Sequence, residues 1–198
     1  MVTNLFQQQN SPEQTRGYTT RFAWSPDGQA LLLDYHQADA VNVLHTSAVG
    51  VAVVAEDSWS PAWSPDGKSI AAVSRAGLFR ATLTGQHRQL LSHRQAQAPA
   101  WSPDGRQIAF LARPEAENGP MRKGFDLWLI DEWGAHETLL TGGCVAFAWS
   151  PDGKQLAYVT GEEQSAAPLL YLWTRKAEAK PLLLAEVSNP TIAWKPLP

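Results

Sequence analysis

The sequence predicts an all-β fold, a β-propeller of four-stranded blades, and three observations predict it. The first is a pentapeptide: Trp-Ser-Pro-Asp-Gly stands at 24–28, 63–67, 101–105 and 149–153, and a worn copy, Trp194-Lys195-Pro196, follows. The second is its period: successive motif tryptophans lie 39, 38, 48 and 45 residues apart, close to the ~40–45 residues of one propeller blade. The third is the motif's surroundings. Alanine precedes every motif Trp (Ala23, Ala62, Ala100, Ala148 and Ala193), and an apolar run follows each complete motif.

The motif reads as the end of a strand followed by a tight turn. Proline suits the second position of a type I turn, aspartate bonds the local backbone, and glycine accepts positive φ. This assigns a structural role to Asp27, Gly28, Asp66, Gly67, Asp104, Gly105, Asp152 and Gly153. Side chains alternate along the strand that leads into the turn. Trp24, Trp63, Trp101, Trp149 and Trp194 therefore share one face, where they fill the wide space between blades. The intervening alanine suits the crowded inner strand near the axis.

After each turn come Ala30–Leu33, Ile70–Val73, Ile108–Leu111 and Leu156–Val159, runs without alternation. Such runs indicate strands covered on both faces. Third strands are expected at 41–45, 78–83, 125–130 and 169–173, and fourth strands at 49–55, 88–92, 137–141 and 181–185. A β-sandwich also has many short strands, but gives no reason for one motif at one place in every period.

The motif followed by an alanine-containing apolar strand resembles the TolB-type, WD40-like propeller repeat, over residues 19–198. The resemblance implies a ring of blades that displays loops to partners. In TolB such a ring works in the periplasm with envelope proteins. The chain lacks the Gly-His and Trp-Asp dipeptides of WD40 repeats, so their hydrogen-bond network is not expected.

Four blades are expected at about 19–57, 58–95, 96–143 and 144–188, with a partial fifth at 189–198. The N-terminal segment 1–18 holds one candidate closing outer strand, Val2–Gln7. Either both termini close a small ring, or further N-terminal blades precede it, or a second chain completes it. An incomplete ring leaves an open edge for self-association.

Composition narrows function. The formal charge is −3, from 16 basic and 19 acidic residues, so no polycationic face for nucleic acid is expected. No apolar stretch is long enough to span a membrane. The N-terminus lacks the basic and apolar regions of a secretory signal. The sequence as it stands is expected in the cytoplasm, or in the periplasm if an N-terminal region precedes it. The lone Cys144 allows no internal disulfide, and a packed, idle thiol is expected.

No catalytic, cofactor or metal site is expected. There is no Gly-x-Ser-x-Gly elbow, Gly-x-Gly-x-x-Gly or Cys-x-x-Cys. His136-Glu137 opens like a zincin motif, but Leu140 stands where its second histidine belongs. Gly67-Lys68-Ser69 ends like a P-loop, yet Ala62 replaces the first glycine. The histidines at 36, 45, 87, 93 and 136 are scattered among different strands and loops, and the motif aspartates each belong to their own turn.

What differs between blades points to partner binding. The second-to-third strand connection is minimal in blade 2, around Arg75, and swells to 113–123 in blade 3. The candidate contact residues on that face are Tyr35, His36, Trp59, Arg75, Arg94, Arg113, Arg122 and Lys123. Loops on a rigid scaffold tend to carry function, and aromatics with arginine suit an interface. The reading is a non-catalytic scaffold for a protein or peptide. The alternatives are the gating propeller of a peptidase or other hydrolase, and a small-molecule or glycan binder using the central channel.

Overall fold

A computed structural model of the chain describes residues 21–35, 40–45, 51–85, 87–114, 124–161, 167–175, 180–188 and 191–194. Every regular element among them is a strand. The first blade is β1 (Arg21–Trp24), β2 (Ala30–Tyr35), β3 (Ala40–His45) and β4 (Val51–Glu56), paired in chain order. The second repeats it with β5 (Ser58–Trp63), β6 (Ser69–Ser74), β7 (Gly77–Thr82) and β8 (Gln89–Ser92). Next come β9 (Ala96–Trp101), β10 (Gln107–Ala112), β11 (Phe125–Asp131), β12 (Thr138–Trp149), β13 (Gln155–Thr160), β14 (Leu169–Thr174) and β15 (Leu182–Glu186). All pairings are antiparallel.

Two expectations are corrected. The outer strand of the third blade does not stop at 141: β12 runs through Gly142-Gly143 into the inner strand of the fourth, joining both blades in one seven-stranded sheet. The physical reason is the glycine pair. Gly143 has φ 71°, which lets the chain change direction without leaving the ladder. At the first junction, by contrast, Asp57 with φ 48° separates β4 from β5. The second correction concerns the partial fifth blade, whose motif predicts an inner strand at 191–194 where none forms. The segment is held through its indole instead, because Trp194 Nε1 donates to the carbonyl of Ala148 at 3.1 Å.

That bond is a repeating joint. Trp63 Nε1 donates to Ala23 O at 3.0 Å, and Trp149 Nε1 to Ala100 O at 3.2 Å. Trp63, Trp149 and Trp194 thus each reach back to the alanine of the preceding blade. Trp101 departs from the pattern: its indole N–H is buried without a partner, and the Arg80 guanidinium lies 5.7 Å from its ring centre.

The turns follow one plan. The motif serine hydroxyl donates to the motif aspartate Oδ1 at 2.6–2.7 Å in all four copies. That carboxylate oxygen also accepts the backbone N–H two residues on, at 3.0–3.2 Å. The serine Oγ in turn accepts the N–H of the first residue of the following strand (30, 69, 107 and 155) at 2.9–3.0 Å. The four motif glycines have φ between 68° and 73°. A side chain at Gly67, Gly105 or Gly153 would also touch the motif proline of the blade before it.

Three apolar clusters fill the spaces between consecutive blades. Ile70 and Ala72 face Leu32 and Val54 of the first blade. Ala71 and Val73, on the other side of β6, pack with Trp101, Ile108 and Phe110. Leu111 and Leu127 pack with Leu156 and Tyr158. A strand buried on both faces has no polar side to present, which explains the unbroken apolar runs.

Arginines staple the junctions. Arg80 on β7 pairs with Glu132 at 3.2 Å and lies 4.7 Å over Trp133. Arg175, after β14, pairs with Asp104, bonds Gln107 Oε1 at 2.9 Å and lies over the Trp149 ring. Burial pushes the Asp104 carboxyl up, but the bonds from Arg175, Ser102 and the Arg106 amide outweigh it and hold the pKa down at about 2, against an ordinary 3.8. The unfolded chain therefore binds more protons between those values. Asp104 contributes stability that is full above pH 4 and lost as pH falls through about 2. In Arg175→Met this carboxyl should titrate nearer 3.8, and acid unfolding should begin at higher pH. Tryptophan fluorescence across an acid titration checks this, and an unmoved midpoint would refute the coupling.

Candidate binding surfaces

The inner strands end in the motif turns, so these turns occupy one end of the blades and the second-to-third strand connections the other. Register fixes the second end: Ser58 pairs with Ser74, and Ala96 with Ala112. Arg75 therefore stands beside the start of β5, and Arg113 beside the start of β9. Both are exposed. Among the described residues neither guanidinium has a hydrogen-bond or ion-pair partner, although the Arg113 amide bonds Gln95 O at 3.2 Å.

The other sequence candidates separate. Trp59 is half-buried against the cluster between blades 2 and 3. Arg94 lies 3.5 Å over the Trp128 ring and pairs with Glu137 at 3.1 Å. Both are engaged inside the fold rather than held out from it. Tyr35 closes β2. His36, Arg122 and Lys123 lie outside the described residues, as do the 1–18 segment and most of the 113–123 connection.

A second surface lies at the axis. The four inner strands face one cavity of about 440 Å3, walled by Ala23, Pro61, Ala100 and Phe147, with Leu32 and Leu111 behind them. Sequence reasoning expected alanine and backbone here and missed the one carboxylate. Asp34, on β2, lines this cavity and is 1% exposed. Its Oδ2 accepts the Ser60 N–H at 3.0 Å, while Oδ1 has no hydrogen-bond partner. A signal was present: counted from the motif, Asp34 occupies the position that is Val73, Leu111 and Val159 in the other repeats.

Chemistry elsewhere is sparse. Among the described residues no three His, Cys, Asp or Glu side chains come together as metal ligands. Cys144 is fully buried, and burial pushes its thiol up to about 12, far from the thiolate a nucleophile requires. His136 sits 3.0 Å from Asp131 on an exposed turn. Asp66 and Asp152 titrate low because their motif serines donate to them.

Antiparallel four-stranded units stacked side by side, with inner strands around a common axis, define a β-propeller. No family model matches the chain, and no curated protein matches it in sequence. Solved structures do. A TolB-assigned protein from Agrobacterium tumefaciens is similar at TM-score 0.67 and 18% identity, over 85% of this chain and 66% of that one. TolB from Acinetobacter baumannii is similar at TM-score 0.63 and 18% identity, over 85% of this chain and 44% of that one. An acylaminoacyl peptidase from Pyrococcus horikoshii matches at TM-score 0.57 and 18% identity, over 79% of this chain and 30% of that one. At these identities the likeness concerns the fold, and the fold is a TolB-type β-propeller. The chain spans less than two thirds of each of these structures.

Proposed function

We propose that the chain is a non-catalytic propeller scaffold that binds a protein or peptide through the end of the blades opposite the motif turns. The observation that carries this reading is the contrast among its arginines. Arg80, Arg94 and Arg175 are tied into blade junctions, whereas Arg75 and Arg113 stand exposed on adjacent blades at that end, without a side-chain partner among the described residues. Arginine is enriched where interfaces carry binding energy, and two guanidiniums on neighbouring rigid edges favour an acidic or carboxylate-bearing partner.

The test begins with affinity capture, followed by rebinding of the purified partner to Arg75→Glu/Arg113→Glu. Binding should fall at least tenfold while the thermal midpoint stays unchanged. Undiminished binding would remove this surface from consideration.

A second reading, the gating propeller of a hydrolase, is favoured by the likeness to acylaminoacyl peptidase. A hydrolase domain encoded in the same reading frame would support it, and a gene encoding propeller repeats alone would oppose it.

A further inference from the structure

We propose that the axial cavity is a binding site for a primary ammonium group carried on an apolar body, with Asp34 as its anchor. The inference stands apart from the partner-binding reading, which concerns the arginines at the blade ends.

A carboxylate removed from water needs donors on both oxygens or a nearby positive charge, because a buried ionised group without them is costly. Among the described residues Asp34 has one donor, on one oxygen. The Ser60 amide serves Oδ2, and Oδ1 is buried without a partner at the edge of a cavity whose wall is otherwise mostly apolar.

The fold does not require this carboxylate. Ser60 takes φ 49°, and the β5–β6 register skips between Trp59 and Ala62. Ala98 takes φ 48° at the same place before its own Trp101, with the β9–β10 register skipping there too. At that second bulge the residue equivalent to Asp34 is Val73, which is buried in the apolar cluster. The same strand distortion thus forms with a hydrocarbon neighbour in one blade and with Asp34 in another. A group that the architecture can do without, and that burial penalises, is explained by what it binds.

The surroundings select the ligand. A metal ion needs several ligating side chains, and the described residues gather none here. Phe22 and Phe147 border the same cavity, and Phe147 also packs against the cluster between blades 3 and 4. Leu32, Pro61 and Leu111 supply hydrocarbon contact. Oδ1 is itself shielded from solvent, so the Asp34 side chain turns toward the cavity as an ammonium donates to it and neutralises the carboxylate, while the hydrocarbon body meets the wall. An alcohol of the same shape donates but brings no positive charge to the carboxylate. The cavity, at about 440 Å3, is in the range of small-ligand sites. The ammonium has two sources of the same chemistry, a free amine or a lysine side chain of a peptide.

Isothermal titration of the full chain at neutral pH separates these cases. Phenethylamine should bind at least tenfold more tightly than 2-phenylethanol. Asp34→Asn and Asp34→Leu should both abolish that preference, and Asp34→Leu, which installs the residue type of the other repeats, should retain the native circular dichroism spectrum. A parallel arm compares Nα-acetyl-lysine methylamide with its norleucine counterpart. A lysine preference that depends on Asp34 assigns the site to a peptide side chain, and a preference confined to phenethylamine assigns it to a free amine. Equal binding of amine and alcohol by the wild-type chain would overturn the proposal without recourse to any variant. So would an amine preference that survives Asp34→Asn.

Discussion

Trp101→Ala is expected to lose about 3–5 kcal/mol of stability, the penalty for deleting a buried aromatic side chain and leaving a cavity. Trp101 is 8% exposed and packs between the second and third blades with Ile108, Phe110 and Ile130. Trp24 belongs to the same motif, yet 59% of it is exposed, because no described element covers that face of the first blade. Trp24→Ala should therefore cost no more than about 0.5–1 kcal/mol. Trp194 is half-buried and makes the same indole bond as Trp63, so Trp63→Ala and Trp194→Ala should fall between these limits. Urea midpoints at constant m-value measure all four. Equal losses at Trp24 and Trp101 would show that something covers Trp24 in solution, and the exposed-face description would be wrong.

Gly77→Ala is the second large effect. Gly77 follows the two-residue connection Arg75-Ala76 between β6 and β7 and has φ 126°. A Cβ there would lie 2.0 Å from the carbonyl oxygen of Ser92 and 3.0 Å from the Cα of His93. Both obstacles are backbone, so the hairpin or the end of β8 must move. Backbone strain and overpacking together come to on the order of 4 kcal/mol. Gly28→Ala makes the control. Its φ is 70°, but nothing lies within 4 Å of the added Cβ, leaving a left-handed backbone cost of about 1–2 kcal/mol. Thermal unfolding of both variants separates steric obstruction from conformational strain. Similar losses would mean that the hairpin yields.

The repeat made most of the fold legible. Alternation and turn chemistry located the inner strands to within a few residues, and the two-sided apolar runs identified the strands stacked between blades. The Gly142-Gly143 crossing was not legible, because a glycine pair usually marks a break and here preserves the ladder. Nor was the role of the motif serine apparent. Ser102 has no exposed surface and bridges Asp104 to the Gln107 amide, a geometry visible only once both ends of the turn are in place.

The candidate surfaces were less legible for a related reason. Arg94 and Trp59 look like exposed recognition residues when their partners are unknown. The side chains that engage them, Glu137 and Trp128 on one hand and the blade 2–3 cluster on the other, lie far along the chain. Asp34 was overlooked because its repeat is otherwise so regular: one carboxylate in an apolar position reads as noise until the axis it borders is built.

The twelve-residue strand β12 has a consequence for how the molecule comes apart. Stacked repeats ordinarily open in units set by the strength of their interfaces. Between the third and fourth blades the boundary is itself a hydrogen-bonded ladder, with Thr138, Leu139, Thr141 and Cys144 paired to β11, and Cys144 and Ala146–Trp149 paired to β13. Opening either sheet takes the shared strand from the other. Native-state hydrogen exchange should show amides of β10, β11, β13 and β14 opening with one common free energy, while those of β5–β8 open with their own. On that result two blades by repeat count form one cooperative body, and the weakest seam of the molecule lies elsewhere, between sheets that share no strand.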